Sequence, residues 1–329
     1  MSPNVQEALV KGFDPSFDDC PDYILGLTRA VWEGRDLRVA MQVYYHPDVI
    51  RRMPGGILYG AQAEAARVIE SLAQFPDCRR LGEDVLWCGS PDVGFLASHR
   101  ALSQATHLGD GPFGAASGRR IIYREISECY AKANRISDVW SVTDTGAILR
   151  QLGVDPKAWT QACLAHLDPE TQPFRPAIDA QGPYTGRGTD NQWGEAFAEL
   201  LSQVMSGAFS VVSDQYDHAV QADYPGGQTV HGTEGVEAFW LGLRAAFPSA
   251  VFAVHHQIGM EEPNMPPRVA LRWSLTGRHD GWGPFGAPTG AEVHVMGLSH
   301  AEFGPRGLRR EWTLYDETAI WMQILAHQG

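Results

Sequence analysis

The sequence predicts an α+β fold built twice: two cone-shaped α+β barrels in tandem, each a curved, mainly antiparallel sheet with helices on one side. Three observations lead there. First, the chain repeats itself. Gly111-Pro112-Phe113-Gly114-Ala115 recurs at Gly283 to Ala287, displaced by 172 residues. The same displacement carries Phe75-Pro76 onto Phe247-Pro248, Arg100 onto Arg272, His107 onto His279, Trp140 onto Trp312 and Asp144 onto Asp316, without a gap from Phe75 to Ile148. That period far exceeds the ~20–50 residues of solenoid repeats, so each copy is a whole domain. Second, helical periodicity opens each copy and four alternating, β-branched or aromatic runs close it, which is an α+β order. Third, 329 residues suit two units of about 150.

Residues 1–19 read as a polar tail without the apolar core of a signal peptide. The first domain, 20–154, opens with a helix from about Asp22 to Glu33, whose Ile24, Leu25, Leu27 and Val31 form its apolar side. A second helical stretch follows near Leu37–Tyr45, then a turn at Pro54-Gly55-Gly56 and a strong helix from Ala61 to Gln74. Strands are expected near Cys78–Cys88, Gly94–His107, Arg119–Ala131 and Arg135–Thr143. Residues 155–190 form a proline-rich connector: a short helix from Pro156 to Leu167, then an extended run from Asp168 to Asp190. The second domain, 191–329, predicts helices at Trp193–Met205 and Thr233–Phe247. Its strands are expected near Val251–Met260, Arg268–Arg278, Ala291–Phe303 and Leu308–Tyr315.

The net charge is −13 and no basic run exceeds a pair, so the chain lacks the cationic footprint of a nucleic-acid binder and suits no anionic membrane surface. No apolar run approaches the ~18 residues of a span. Cys20, Cys78, Cys88, Cys129 and Cys163 are an odd set without metal-ligand spacing, read as reduced thiols of a cytoplasmic protein. No HxH or HxxxH pair supports a metal site. Gly109-x-Gly111-x-x-Gly114 matches a dinucleotide fingerprint in letters but leads into no helix, so it is a turn and no cofactor is expected.

The candidate catalytic residues are Asp144, Asp316, His107 and His279. Each Asp follows an alternating strand and continues the face of Trp140 or Trp312. If that face lines a pocket, desolvation raises the carboxyl pKa toward the range of an acid/base acting beside a carbonyl. The plainer alternative is a cap on the helix beginning at Thr145 or Glu317. The histidines precede glycine-rich turns and would polarise a substrate oxygen, or simply bond a turn carbonyl. Arg100 and Arg272 would hold an oxyanion or make a structural ion pair; Trp140 and Trp312 would form pocket wall or core. Tyr59 and His231 occupy matching places and complete the candidate substrate contacts. The copies also diverge: Arg124, Glu125, Glu128 and Tyr130 in the first stand against Met296, Gly297, His300 and Glu302 in the second, so the pockets are unequal.

In the first half, Pro54-Gly55-Gly56, the Ala73–Asp77 helix end, Arg100, His107, Ser117-Gly118 and Trp140-x-x-x-Asp144 resemble a known pattern. Gly277–Gly281, Pro288-Thr289-Gly290 and Trp312-x-x-x-Asp316 repeat it. Each half is similar to a SnoaL-like domain, of the polyketide-cyclase branch of the nuclear transport factor 2-like superfamily. That resemblance implies a cofactor-independent enzyme performing aldol-type cyclisation or isomerisation on an apolar carbonyl compound, with Asp144 or Asp316 as acid/base. Its rivals are a non-catalytic binder of a small hydrophobic molecule and an epoxide hydrolase using Asp138, Arg100 and Asp144. Because single-domain relatives pair through their sheets, the tandem is expected to form a pseudo-dimer within itself, alone or in a further homo-oligomer.

Overall fold

A computed structural model of the chain describes residues 11–166 and 172–329. Leu167, the 168–171 part of the expected connector and the 1–10 part of the tail lie outside the described residues.

The first half runs α1 (Cys20–Trp32), α2 (Leu37–Val43), β1 (Tyr45–Met53), β2 (Gly56–Tyr59), α3 (Ala61–Gln74), β3 (Arg79–Ser90), β4 (Gly94–Thr106), β5 (Arg120–Lys132), β6 (Arg135–Thr143) and α4 (Thr145–Leu152). Asp19 caps α1 by accepting from the Asp22 amide, and Ile24, Leu27 and Val31 turn its apolar side to the sheet. Asp144 caps α4, and Gly153 ends it in the left-handed region at φ 78°, which a glycine adopts without strain.

The connector opens with α5 (Pro156–Leu164), after which residues 172–190 run largely without regular structure. The second half repeats the order as α6 (Gln192–Met205), α7 (Ser210–Gln215), β7 (Tyr216–Tyr224), β8 (Gln228–His231), α8 (Gly232–Ala246), β9 (Val251–Met260), β10 (Arg268–Arg278), β11 (Glu292–Gly304), β12 (Gly307–Tyr315) and α9 (Glu317–Gln328).

Each half carries one six-stranded sheet, ordered β2-β1-β6-β5-β4-β3 and β8-β7-β12-β11-β10-β9. All neighbours are antiparallel except β1 with β6 and β7 with β12. Both sheets keep free ends, so they are curved sheets forming cones rather than closed barrels. The strands absent from the sequence reading are β1, β2, β7 and β8. β1 hides because its centre is charged: Asp48, Arg51 and Arg52 break the apolar alternation, yet both arginines are buried.

Strand alternation sends successive residues to opposite faces. Odd-numbered positions of β4, β5 and β6, including His99, Glu125, Ser127 and Cys129, face the helices of their own half. Except for Ile136, which a bulge at the start of β6 turns into the cone, even-numbered positions face the other half. There Leu96, Ile126, Trp140 and Val142 form one apolar cluster with Ala270, Leu298, Trp312 and Leu314, so the two sheets meet face to face. Each sheet thus has a concave side closed by its own helices and a convex side closed by its twin.

Candidate functional site

The cone of the first half encloses charged groups. Arg51 donates from Nε and Nη2 to the two Glu64 oxygens (2.7 Å each) and from Nη1 to Ser141 Oγ (2.8 Å). Arg67 binds the same carboxylate. Across the cavity Arg80 donates to both oxygens of Glu125 (2.7 and 3.1 Å), which also accept from Ser127 and Thr143, while its guanidinium stacks 3.7 Å from the Trp32 ring centre. Burial pushes the Glu125 and Glu64 carboxyls up, but the adjacent guanidinium groups outweigh it. Glu64 ends at about 2 and Glu125 well below its ordinary value. Between the pairs lies His99. Burial, opposed by Glu125 and reinforced by Arg80 and Arg51, lowers it to about 4, so it is a neutral imidazole at neutral pH.

The enclosed space is about 40 Å³, lined among others by Tyr45, Arg51, Glu64, Arg80, His99 and Glu125. That accommodates a few waters at ~10–15 Å³ of such volume each. His99 Nδ1, Arg80 Nε and Ser103 Oγ are buried without a protein partner. Buried polar atoms are nearly always paired, so three orphans in one half's cone need a cause.

Among the described residues the second cone, where Trp240 Nε1 is buried without a partner, has no such charged cavity, and one strand pair explains why. Ala101 and Glu125 sit opposite each other on β4 and β5; their counterparts Trp273 and Gly297 sit opposite each other on β10 and β11. The indole occupies the room that Glu125 takes in the first half, and a Cβ on Gly297 would overlap it. His99 is replaced by Leu271 and Arg80 by Phe252 at the same displacement. Trp240, Phe239 and Tyr224 fill the remainder, with Tyr224 and Phe239 stacked 3.5 Å apart. One acid stays inside: Glu311 accepts from Tyr216 (2.7 Å), Tyr224 (3.2 Å) and Thr313 (2.7 Å), and burial raises its pKa.

The Arg, Trp and Asp pairs kept in both halves gather elsewhere, at the seam between the sheets. Arg100 stacks 3.6 Å from the Trp312 ring centre, and Arg272 stacks 4.0 Å from that of Trp140. Arg100 also contacts His300 Nδ1 (3.2 Å), and Arg272 donates to Glu128 (2.7 Å). His300 and Glu128 are themselves counterparts, so one clasp is made twice. Asp144 accepts from the amides of Ala147 (3.0 Å), Gly226 (2.8 Å) and Gly227 (2.9 Å), capping α4 and gripping the turn of the other half. Burial raises its pKa against the pull of those amides. Asp316 caps α9 through Thr318 and accepts from Thr145 of the first half (2.9 Å); burial raises its carboxyl to about 6. The face shared by Trp and Asp therefore looks at the other sheet and not into a cone.

His107 and His279 are buried at the ends of their sheets, against Phe75 and Phe247. Their Nδ1 atoms meet Ser117 (3.1 Å) and Thr289 (3.0 Å), while both Nε2 atoms lack a partner. Each pins its glycine-rich loop. Tyr59 and His231 lie exposed on β2 and β8. The three groups of the epoxide-hydrolase alternative are each engaged apart: Arg100 with Glu83 and His300, Asp138 with Arg52 and the Tyr184 amide, Asp144 with backbone. Among the described residues no cluster of three metal-ligating side chains occurs. No described helix is long and apolar enough to cross a membrane.

The sequence reading passed over His99, Arg80, Arg51 and Glu64. The usable signal is divergence at inward strand positions: Glu125 stands against Gly297, and the same comparison along β3 and β4 gives Arg80 against Phe252 and His99 against Leu271.

Residues 195–324 match the family model described as SnoaL-like polyketide cyclase. Similar solved structures include IdmH from Streptomyces antibioticus, at 24% identity over 41% of this chain and 98% of that one, with a TM-score of 0.36. A SnoaL-like polyketide cyclase from Agrobacterium tumefaciens is 21% identical over 40% of this chain and 97% of its own, with a TM-score of 0.34. TsrD from Streptomyces laurentii is 20% identical over 40% and 96%, with a TM-score of 0.35. No curated protein matches the chain.

Proposed function

We propose that this tandem SnoaL-like chain is a cofactor-independent acid–base catalyst for a small carbonyl compound, and that its active site is the cone of the first half. The observation that carries the reading is the contrast between the cones: one is closed by a Trp273–Gly297 pair, the other keeps a charged cavity with unpartnered His99 and Arg80 atoms. The neutral His99 would accept a proton from the carbon beside the carbonyl, and Glu125 would stabilise the imidazolium formed. A guanidinium N–H of Arg80 would meet the enolate oxygen, where charge develops. Such acid–base help is worth about 10²–10⁴-fold and an oxyanion donor about 10²–10³-fold, adequate for an activated substrate. The polar lining suits a small oxygen-bearing molecule better than a large apolar one, and entry requires α1 and α3 to give way over the cavity. The second half is then the first half's fixed partner: a pseudo-dimer with one working cone, in which Asp144, Asp316, Arg100 and Arg272 hold the seam.

The test is deuterium exchange at C3 of 2,4-pentanedione, followed by proton NMR in deuterated buffer with the full chain. Exchange above the buffer rate, abolished by His99→Gln and retained by Asp144→Asn, is expected. Exchange no faster than buffer, or a His99→Gln variant as active as the unsubstituted chain, overturns the assignment.

A further inference from the structure

A cleft of about 590 Å³ lies at the seam, walled by Leu102, Ile122, Trp312 and Leu314 and floored by Arg124, Asp223 and the Gly226-Gly227 turn. It is distinct from the cone. Volumes of ~300–1,000 Å³ with apolar walls and a few polar groups are those of ligand sites. The approximate two-fold relation of the halves places an equivalent cleft on the opposite side, and there the chain fills it with its own connector. Phe174 packs with Trp140, Val142 and Met296, the counterparts of Trp312, Leu314 and Arg124. Its ring lies 5.6 Å from that of His294, the counterpart of Ile122. Its amide donates to Pro54 O beside the Gly55-Gly56 turn (3.0 Å). Five residues on, Asp179 and the Ala180 carbonyl accept from Arg52, the counterpart of Asp223.

We propose that the open cleft is a docking site for an extended peptide segment with an aromatic anchor and, about five residues later, a lysine or arginine. The apolar wall is continuous with the core between the sheets, and Ile122 is left 50% exposed there. The anchor takes the place of Phe174 between Ile122 and Leu314. The charge at the second contact is inverted, since Asp223 stands where Arg52 stands on the filled side. Thr229 donates to Asp223 Oδ1, while Arg124 approaches Oδ2 only to 3.6 Å and gives both its close hydrogen bonds to Glu83 (2.9 and 3.0 Å), so Oδ2 has room for a second cation.

The probe is a synthetic peptide of residues 172–184 carrying Asp179→Arg, titrated into the full chain and read by tryptophan fluorescence and calorimetry. The filled side is unavailable to it because the tethered connector competes at high effective concentration. Saturable one-to-one binding is expected, weakened at least about tenfold by Phe174→Ala in the peptide, as for a buried aromatic anchor. It should weaken similarly on Ile122→Glu or Gln228→Trp in the chain, two exposed positions whose variants are checked by an unchanged melt. The unsubstituted peptide should bind more weakly than the Asp179→Arg one. The proposal is overturned by no binding up to millimolar peptide, by binding that both chain variants leave unchanged, or by equal binding of the unsubstituted peptide. Binding of 3-phenylpropionamide as tight as the peptide's would also overturn it, by assigning the cleft to small aromatics.

Discussion

Replacing Glu125 by Gln isolates the first cone's charge network. The side chain keeps its shape, but Arg80 loses the carboxylate that receives two of its N–H groups at 2.7 and 3.1 Å, and the guanidinium remains buried. Breaking a buried ion pair from one side costs about 3–5 kcal/mol, because the surviving charge stays unpaired. The first half spans roughly 135 residues, and unfolding entropy of ~2.1 cal/mol/K per residue gives about 0.28 kcal/mol/K for it, so its midpoint should fall by about 10–18 °C. The pH dependence has a definite sign. The folded carboxyl sits below its unfolded value, so its stabilisation is complete above the unfolded pKa and is lost as pH falls toward the folded one. Urea unfolding at pH 7 and across pH 5–3 measures both: the variant should be weaker at pH 7 and should lose less of its stability on acidification. Pairing Glu125→Leu with Arg80→Met should restore much of the loss, since an apolar pair of similar volume needs no charge compensation. A Glu125→Gln change below about 1 kcal/mol, with an unaltered acid limb, would refute the view that this pair is buried and mutually dependent.

Two further expectations concern the seam. Arg100→Ala and Trp312→Ala should couple in a double-mutant cycle by about 1–2 kcal/mol, the worth of a desolvated cation–π contact, and the cycle in unfolding free energies measures it. Asp316→Asn should flatten a loss of stability that the unsubstituted chain shows as pH rises from about 4 to about 6, because the folded carboxyl, raised by burial, favours the proton through that window; thermal melts across pH 4–7 check it.

Much of the fold was legible because its signals are local. The caps at Asp144 and Asp316 and strands such as β9 and β10 follow from spacing and alternation within a few residues, and the repeat needs only the chain laid against itself. β1 was not legible, because Arg51 and Arg52 are tolerated inside only through Glu64 and Asp138, partners 13 and 86 residues away. The setting of the candidate residues was hidden for a related reason. Alternation correctly put Trp140, Val142 and Asp144 on one face and Val139, Ser141 and Thr143 on the other, but period two carries no sign, and nothing local says which face meets the helices. The large apolar residues suggest a wall inside the cone, whereas they form the interface with a second sheet, where Trp312 and Leu314 also wall the seam cleft.

The duplication explains which residues the halves share. Two sheets that must cover each other need the same clasp on both sides, so Arg100 and Arg272, Trp140 and Trp312, and Asp144 and Asp316 are fixed by a structural demand applied twice. No such demand acts on the cones, each of which faces only its own helices. One could be filled by exchanging a small–charged strand pair, Ala101 with Glu125, for a large–small one, Trp273 with Gly297, at no cost to the seam. Within this chain the Arg, Trp and Asp pairs kept in both copies mark the interface, and the exchanges inside the cones direct the search for chemistry to His99, Arg80 and Glu125.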